Sequence, residues 1–190
     1  MSLKHAVLAM LELEPGSGYD LIKRFNKSIG HFWAATHQQV YQTLNTLGEE
    51  GRVEFELVEQ SDKPNKKIYS ITAAGLEELR AWTSTPAKSY RYRDPLLIKL
   101  YAGGNVPSAA LADDLEKHRQ LHAQTLADYR ETEAAFYRND AEARRRYLLP
   151  YMTLKLGMQF EETWLRWYEE VKIVLNSTDD ECKSGSPHDG

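Results

Sequence analysis

The stretch from Thr36 to Gly48 is polar but uncharged, since it holds no lysine, arginine, aspartate or glutamate. Thr36 and Gln39 have the spacing of a capping box, which predicts that a helix begins here. Amides can both donate and accept, as the major-groove edge of adenine requires, and the absence of carboxylates avoids repulsion from phosphates. The outward side chains of such a helix are Gln38, Gln39, Tyr41, Gln42 and Asn45. We therefore expect base contacts from the amides, with Tyr41 on a phosphate.

Two helices are predicted before this one. Residues 3–13 are mostly apolar and stop before Pro15. Ser17 and Asp20 form a second capping-box pattern, after which apolar residues keep helical spacing as far as Gly30. The apolar residues of the third helix also recur at helical spacing and should face a shared core: Val40, Leu44 and Leu47.

A β-hairpin should follow. Residues 52–59 alternate apolar and acidic side chains, which is typical of a strand with one exposed face, and residues 66–71 form a second short strand after a polar loop. Three helices and a hairpin in this order predict a winged helix-turn-helix. The wing lysines that could contact the DNA backbone are Lys63, Lys66 and Lys67, although lysines at a strand edge can also serve only to block aggregation. Tyr19, at the start of the second helix, is a weaker phosphate candidate.

The second half of the chain should be helical, with one long helix over residues 108–138 and another over about 150–175. Aromatic residues of the last helix recur at three- and four-residue intervals, a pattern that fits a core or a dimer interface better than a ligand pocket. We expect a mainly α protein with a small hairpin, divided into a winged-helix domain over 1–83, a helical domain over 84–175 and a disordered tail over 176–190.

The composition limits the possible partners. The 190 residues carry a net charge of -4, so any DNA contact must be local, and residues 1–83 hold nine basic against eleven acidic side chains. No apolar run is long enough to span a membrane and no secretory signal is visible, so we expect a cytoplasmic, soluble protein. The lone Cys182 has no partner for a disulfide.

The sequence does not suggest an enzyme. His118 and His122 lie one helical turn apart and could chelate zinc, but Arg119 stands where a zinc protease needs glutamate and no third ligand is evident. A half-buried histidine pair between helices is the favoured interpretation. No phosphate-binding glycine loop or serine nucleophile elbow occurs. We therefore predict no catalytic residue, no cofactor and no bound metal.

Together these segments resemble the PadR family of bacterial transcriptional regulators, in particular its larger members with a helical C-terminal domain like that of virulence activators. The matching stretches are Ser17–Leu21, His37–Leu44, Leu47–Gly51, Lys63–Tyr69, Ile71–Gly75 and Arg93–Leu100. The resemblance implies a homodimer whose third helices enter successive major grooves while the wings touch the flanking backbone.

This resemblance predicts a repressor that acts on an inverted-repeat operator and is released by a small hydrophobic or aromatic effector, for which it assigns no residue. The expected dimer interface lies on the last helix: Leu156, Phe160, Trp164, Trp167 and Val171. The alternative is a protein that keeps the winged-helix fold but binds other proteins or small molecules instead of DNA. Salt would separate the two, because DNA binding releases counterions and weakens steeply as salt rises.

Overall fold

The computed structural model describes residues 3–31, 33, 35–59, 65–87, 93–103 and 108–184. Within them the chain is mainly helical with one two-stranded antiparallel sheet. The elements are α1 (Leu3–Leu13), α2 (Gly18–Lys27), α3 (His37–Glu49), β1 (Val53–Val58), β2 (Lys66–Ile71), α4 (Ala73–Thr83), α5 (Pro95–Tyr101), α6 (Ser108–Arg138), α7 (Ala141–Arg146) and α8 (Leu148–Ser184). A short 3-10 turn, Ile29–His31, follows α2. The predicted winged helix-turn-helix and long helices are confirmed.

The first three helices and the hairpin enclose one apolar core. Its most deeply buried side chains come from all three helices, and each is at most 1% exposed: Val7, Leu8, Leu11, Leu21, Phe25, Leu44 and Leu47. Val53 and Tyr69 extend this core onto the sheet. Burying this many apolar side chains between elements of helical and strand periodicity is what holds α3 against the rest of the domain.

The hairpin is attached to the loop between α1 and α2. β1 and β2 pair from Val53 opposite Ile71 to Val58 opposite Lys66. Tyr69 of β2 also forms an isolated antiparallel bridge with Gly16, in which Gly16 N donates to Tyr69 O over 3.1 Å and Tyr69 N donates to Gly16 O over 2.9 Å. The base of the wing is therefore fixed to the backbone that leads into α2.

The C-terminal helices build a separate core. It joins Leu96 of α5 to Leu111 and Leu115 of α6, and these pack with three side chains of α8. The contributions of α8 are Trp164, Tyr168 and Val171, which are 7%, 6% and 9% exposed. Tyr168 also donates its hydroxyl to Glu116 Oε2 over 2.7 Å.

The chain divides into two compact units, one of Met1–Lys88 with Ala135–Thr153 and one of Ser89–Ala134 with Leu154–Gly190. The division into domains over 1–83 and 84–175 stays a prediction. Residues 135–153 group with the N-terminal unit, where the Tyr147 hydroxyl donates to Glu14 Oε2 over 3.1 Å. A helix of 31 residues is roughly 46 Å long, so one small core cannot hold the whole of α6.

The last helix is longer than predicted. It continues to Ser184, although we expected disorder from residue 176. Extending an existing helix needs no new nucleation, so a helix that begins at Leu148 can continue into the polar sequence beyond Leu175. Residues 185–190 lie outside the described residues. None of the described helices is both long and apolar enough to cross a membrane.

Candidate nucleic-acid interface

The start of α3 is held by the predicted capping box. Gln39 N donates to Thr36 Oγ1 over 3.2 Å, and Thr36 N donates to the side-chain oxygen of Gln39 over 2.8 Å. These two bonds satisfy backbone donors that the first turn of a helix leaves unpaired. Gln39 is therefore a capping residue as well as an exposed amide beside the outer face.

As far as Gly48, the outer face of α3 is polar, uncharged and open. Val40, Leu44 and Leu47 are at most 2% exposed and define the buried side, as predicted. At about 100° per residue, the side chains opposite that buried stripe are Gln38, Gln42 and Asn45, and all three are exposed. The structure thus brings the three amides together on one surface.

Tyr41 lies on the α2 side of this surface and is 45% exposed. Its ring passes so close to Gly18 that a Cβ added there would lie 2.3 Å from Tyr41 Cε1. Because Gly18 has no side chain, the Tyr41 ring can approach the backbone at the start of α2. The spacing of residues in the sequence does not predict this contact. The neighbouring Tyr19 is 69% exposed, so both candidate tyrosines can be reached from solvent.

Lys66 is less free than the sequence suggested. Its Nζ lies 2.9 Å from Asp20 Oδ2, the carboxylate of the α2 capping box. Asp20 accepts from the Ser17 hydroxyl over 2.7 Å, and this bond, followed by the one with Lys66, lowers the pKa of Asp20 to about 2. The structure places the Lys66 ammonium group on the cap of α2, where it also joins the wing to that helix. The backbone phosphate contact expected of Lys66 stays a prediction.

Lys67 has different surroundings from Lys66. Lys67 is exposed, and its Nζ lies 4.2 Å from the centroid of the Phe55 ring, a cation–π arrangement across the hairpin. The ring supports the lysine without neutralising its charge, so Lys67 is better placed for a phosphate than Lys66. Lys63 lies outside the described residues.

The histidine pair of α6 packs against α8. The Nδ1 atom of His122 contacts Glu161 Oε2, and its ring stacks on Trp164 with centroids 3.9 Å apart. The His118 ring lies 6.5 Å from the same indole. This confirms a histidine pair between two helices. Across the part of the chain that the structure describes, no three His, Cys, Asp or Glu side chains group into a possible metal site.

The residues predicted for a dimer interface separate into two sets. Trp164 and Val171 are buried within the chain's own C-terminal core, while Trp167 packs at the edge of that core. Leu156 and Phe160 are 69% and 46% exposed. Of the five predicted residues, only Leu156 and Phe160 expose a large apolar surface to another chain. Residues buried in the core cannot contact a second chain unless the core opens.

Three helices, a wing and an uncharged, exposed third helix define a winged helix-turn-helix protein of the DNA-binding class. Residues 7–81 match the family model described as "Transcriptional regulator PadR-like family", and residues 92–176 match "Virulence activator alpha C-term". The chain belongs to the PadR-like family of transcriptional regulators, with a virulence-activator-type C-terminal region.

Relatives along nearly the whole chain agree with this assignment. A probable transcriptional regulator of Mycobacterium tuberculosis is 34% identical, over 92% of this chain and 98% of the relative. The Vibrio cholerae virulence activator AphA is 34% identical with a TM-score of 0.72, over 93% and 99% of the two chains. Bacillus subtilis PadR, solved in complex with operator DNA, is 25% identical with a TM-score of 0.76, over 91% and 98%.

Proposed function

We propose that this protein is a homodimeric transcriptional repressor in the cytoplasm that binds an inverted-repeat operator through α3. The observation that carries the proposal is the outer face of α3, where exposed amides occur without a single charged side chain between Thr36 and Gly48. Such a face can approach base edges without repelling phosphates, and its amides can hydrogen-bond to purines. The operator complex of Bacillus subtilis PadR supports the same use of the fold.

Within this proposal the contacts fall into two groups. Gln38, Gln42 and Asn45 read base edges, because they share the face opposite the core. The groups that hold the backbone are the exposed tyrosines and the wing lysines, namely Tyr19, Tyr41, Lys63 and Lys67. Lys66 contributes less, since it is already paired with Asp20.

The two-fold partner in this proposal covers the exposed apolar residues of α8. Leu156 and Phe160 are 69% and 46% exposed, and exposed apolar side chains of this kind are typical of an interface between chains. A two-fold dimer would place its recognition helices about one turn of DNA apart, roughly 34–36 Å, which requires an inverted repeat. Replacing Leu156 with aspartate should shift sedimentation from dimer to monomer without unfolding the chain.

Effector release is the least specific part of the proposal. Bacillus subtilis PadR has been solved in complex with p-coumaric acid, so an aromatic acid is the class of compound to try first. An effector acts on DNA binding only by binding the two conformations with different affinity, commonly by about 1–3 kcal/mol. We assign the effector no residue in this chain, and we assign the protein no catalytic activity.

The test begins with selection of bound duplexes from a random DNA library, followed by fluorescence anisotropy at several salt concentrations. We expect one inverted repeat to be enriched, with affinity that falls steeply as salt rises. Enrichment of no sequence, even at low salt, would contradict the proposal and favour the alternative of a binding protein without a DNA partner.

Two variants then separate the roles of the contacts. Gln42→Ala should reduce the preference for the selected sequence by roughly 1–3 kcal/mol, whereas Lys67→Ala should weaken binding to all sequences and lower the salt slope by about one. Lys155→Ala, at an exposed lysine of α8, is the matched control for loss of one positive charge. Equal losses for all three variants would remove the assignment of base contacts to α3.

A further inference from the structure

The capping box fixes which end of the Gln39 amide is available. A backbone N–H can donate only to an acceptor, so the atom 2.8 Å from Thr36 N must be the side-chain oxygen of Gln39. That oxygen is turned toward its own backbone. The amide nitrogen, with two N–H groups, is consequently the end that remains for another molecule.

The position of this nitrogen suits a DNA contact. Gln39 is exposed in the first turn of α3, and the N-terminal residues of a recognition helix are those that reach base edges. Together with Gln42, it also lines an open groove between the start of α1 and α3. No hydrogen bond of the described residues uses its Nε2 atom.

We propose that Gln39 reads DNA as a donor only and therefore selects guanine at its position. The usual glutamine–adenine pair needs an amide that donates to N7 and accepts from N6, but the accepting end of Gln39 is held by the helix cap. Guanine presents two acceptors, N7 and O6, which a donating NH2 group can satisfy. This inference rests on the proposed operator binding and adds the base that one amide recognises.

Gln42 provides the internal contrast. It lies on the same helix and is also exposed, but it takes no part in a cap. Its amide can turn either end outward and can pair with adenine in the usual way. The two glutamines should therefore specify different bases even though their side chains are identical.

The test measures the binding of each protein variant to operators with and without a modified base. Replacing the contacted guanine with 7-deazaguanine, which lacks N7, should weaken binding of the unmodified protein about tenfold. Gln39→Glu keeps an acceptor for Thr36 N but has no donor, so it should lose that sensitivity, and Gln39→Met should lose it too. Gln42→Met is the matched control and should retain the full penalty at this guanine.

Three results would overturn the inference. Gln39→Glu could retain the 7-deazaguanine penalty at every operator guanine, which would show that Gln39 does not contact N7. The binding penalty that depends on Gln39 could instead be found when a backbone phosphate is replaced by a neutral methylphosphonate, which would make Gln39 a phosphate contact. That penalty could also be found only when an adenine is replaced by 7-deazaadenine, which would make adenine the base that Gln39 contacts. By contrast, a protein that selects no operator at all would refute the proposed function itself.

Melting curves establish that the variants are folded. Gln39→Glu should melt at or slightly above the unmodified protein, because a carboxylate at this position completes the capping box and favours the helix N-terminus. Gln39→Met should melt a few degrees lower, because it loses the bond from Thr36 N, which is one of the two bonds of the capping box. Loss of base sensitivity in both variants, despite these opposite changes in stability, would assign the effect to the missing donor.

Discussion

The two units place their charged groups differently. In the N-terminal unit Glu78 lies at the rim of the core, where Lys4, His5 and Arg52 surround it and its side chain keeps 17% exposure. In the C-terminal unit Glu161 is only 7% exposed and lies between α6 and α8, paired with His122. One unit keeps its ions near water and the other encloses a carboxylate.

This difference indicates what limits each unit's stability. Ion pairs near water contribute little, so the N-terminal unit depends on its apolar packing. An enclosed carboxylate loses its hydration and is tolerated only while its partner remains, which makes the C-terminal unit sensitive to single substitutions. Four predictions test this comparison.

The largest effect should come from Trp164→Ala. Removing a buried indole leaves a cavity and should cost about 3–5 kcal/mol of the free energy of unfolding. The sequence had suggested a loss of dimer affinity, but Trp164 lies in the chain's own core. Hydrogen exchange should speed up in α6 and α8 and stay unchanged in α1–α3. A variant with full stability and a weaker dimer would contradict this expectation.

His122→Ala should destabilise the same unit by about 3 kcal/mol, because it leaves Glu161 enclosed without its partner. His118→Ala is the matched control, one turn away on α6, and should cost less since it removes only a ring packed near Trp164. Chemical denaturation of both variants provides the comparison. Equal costs would show that packing against the indole, rather than the contact with Glu161, is what matters.

A third prediction concerns alkaline pH. Burial, with a smaller contribution from Glu161, raises the pKa of Tyr129 to about 12, so the fold favours the neutral phenol. The contribution of Tyr129 to the free energy of unfolding is complete below pH 10. It is lost as pH rises from about 10 toward 12, which lowers that free energy by roughly 1–2 kcal/mol. Tyr129→Phe should flatten that decrease, whereas Tyr137→Phe, at a 57% exposed side chain, should not.

The smallest effect is expected in the N-terminal unit at acid pH. The pKa of Asp20 is lowered to about 2, mainly by Ser17 and then by Lys66, so Asp20 stabilises the fold above about pH 4 and loses this effect as pH falls toward 2. Its side chain is 39% exposed, which limits the gain to less than about 1 kcal/mol. Lys66→Met should shrink the acid-side decrease in stability, and Asp113→Asn should leave it unchanged.

Periodicity and caps were sufficient to predict the fold of the N-terminal half. The spacing of Val40, Leu44 and Leu47 identified the buried side of α3, and the two capping boxes located the starts of α2 and α3. These features are local, so each can be recognised within a few residues of sequence.

Contacts between distant residues could not be predicted in this way. The pairing of Lys66 with Asp20 and the passage of Tyr41 over Gly18 depend on how separate elements come together. The same limitation explains the aromatic stripe of α8. Its spacing does not show whether the face meets the same chain or a second one, and the structure places Trp164 and Tyr168 in the chain's own core while Phe160 is 46% exposed.

The bridge between Gly16 and Tyr69 closes a loop of chain that contains α2, α3 and β1. Inside it, the pairing of Val58 with Lys66 closes a second, smaller loop around residues 59–65. Insertions or deletions between Val58 and Lys66 therefore leave the path of α3 unaltered. Related proteins could vary the length of the wing and still present the same recognition surface.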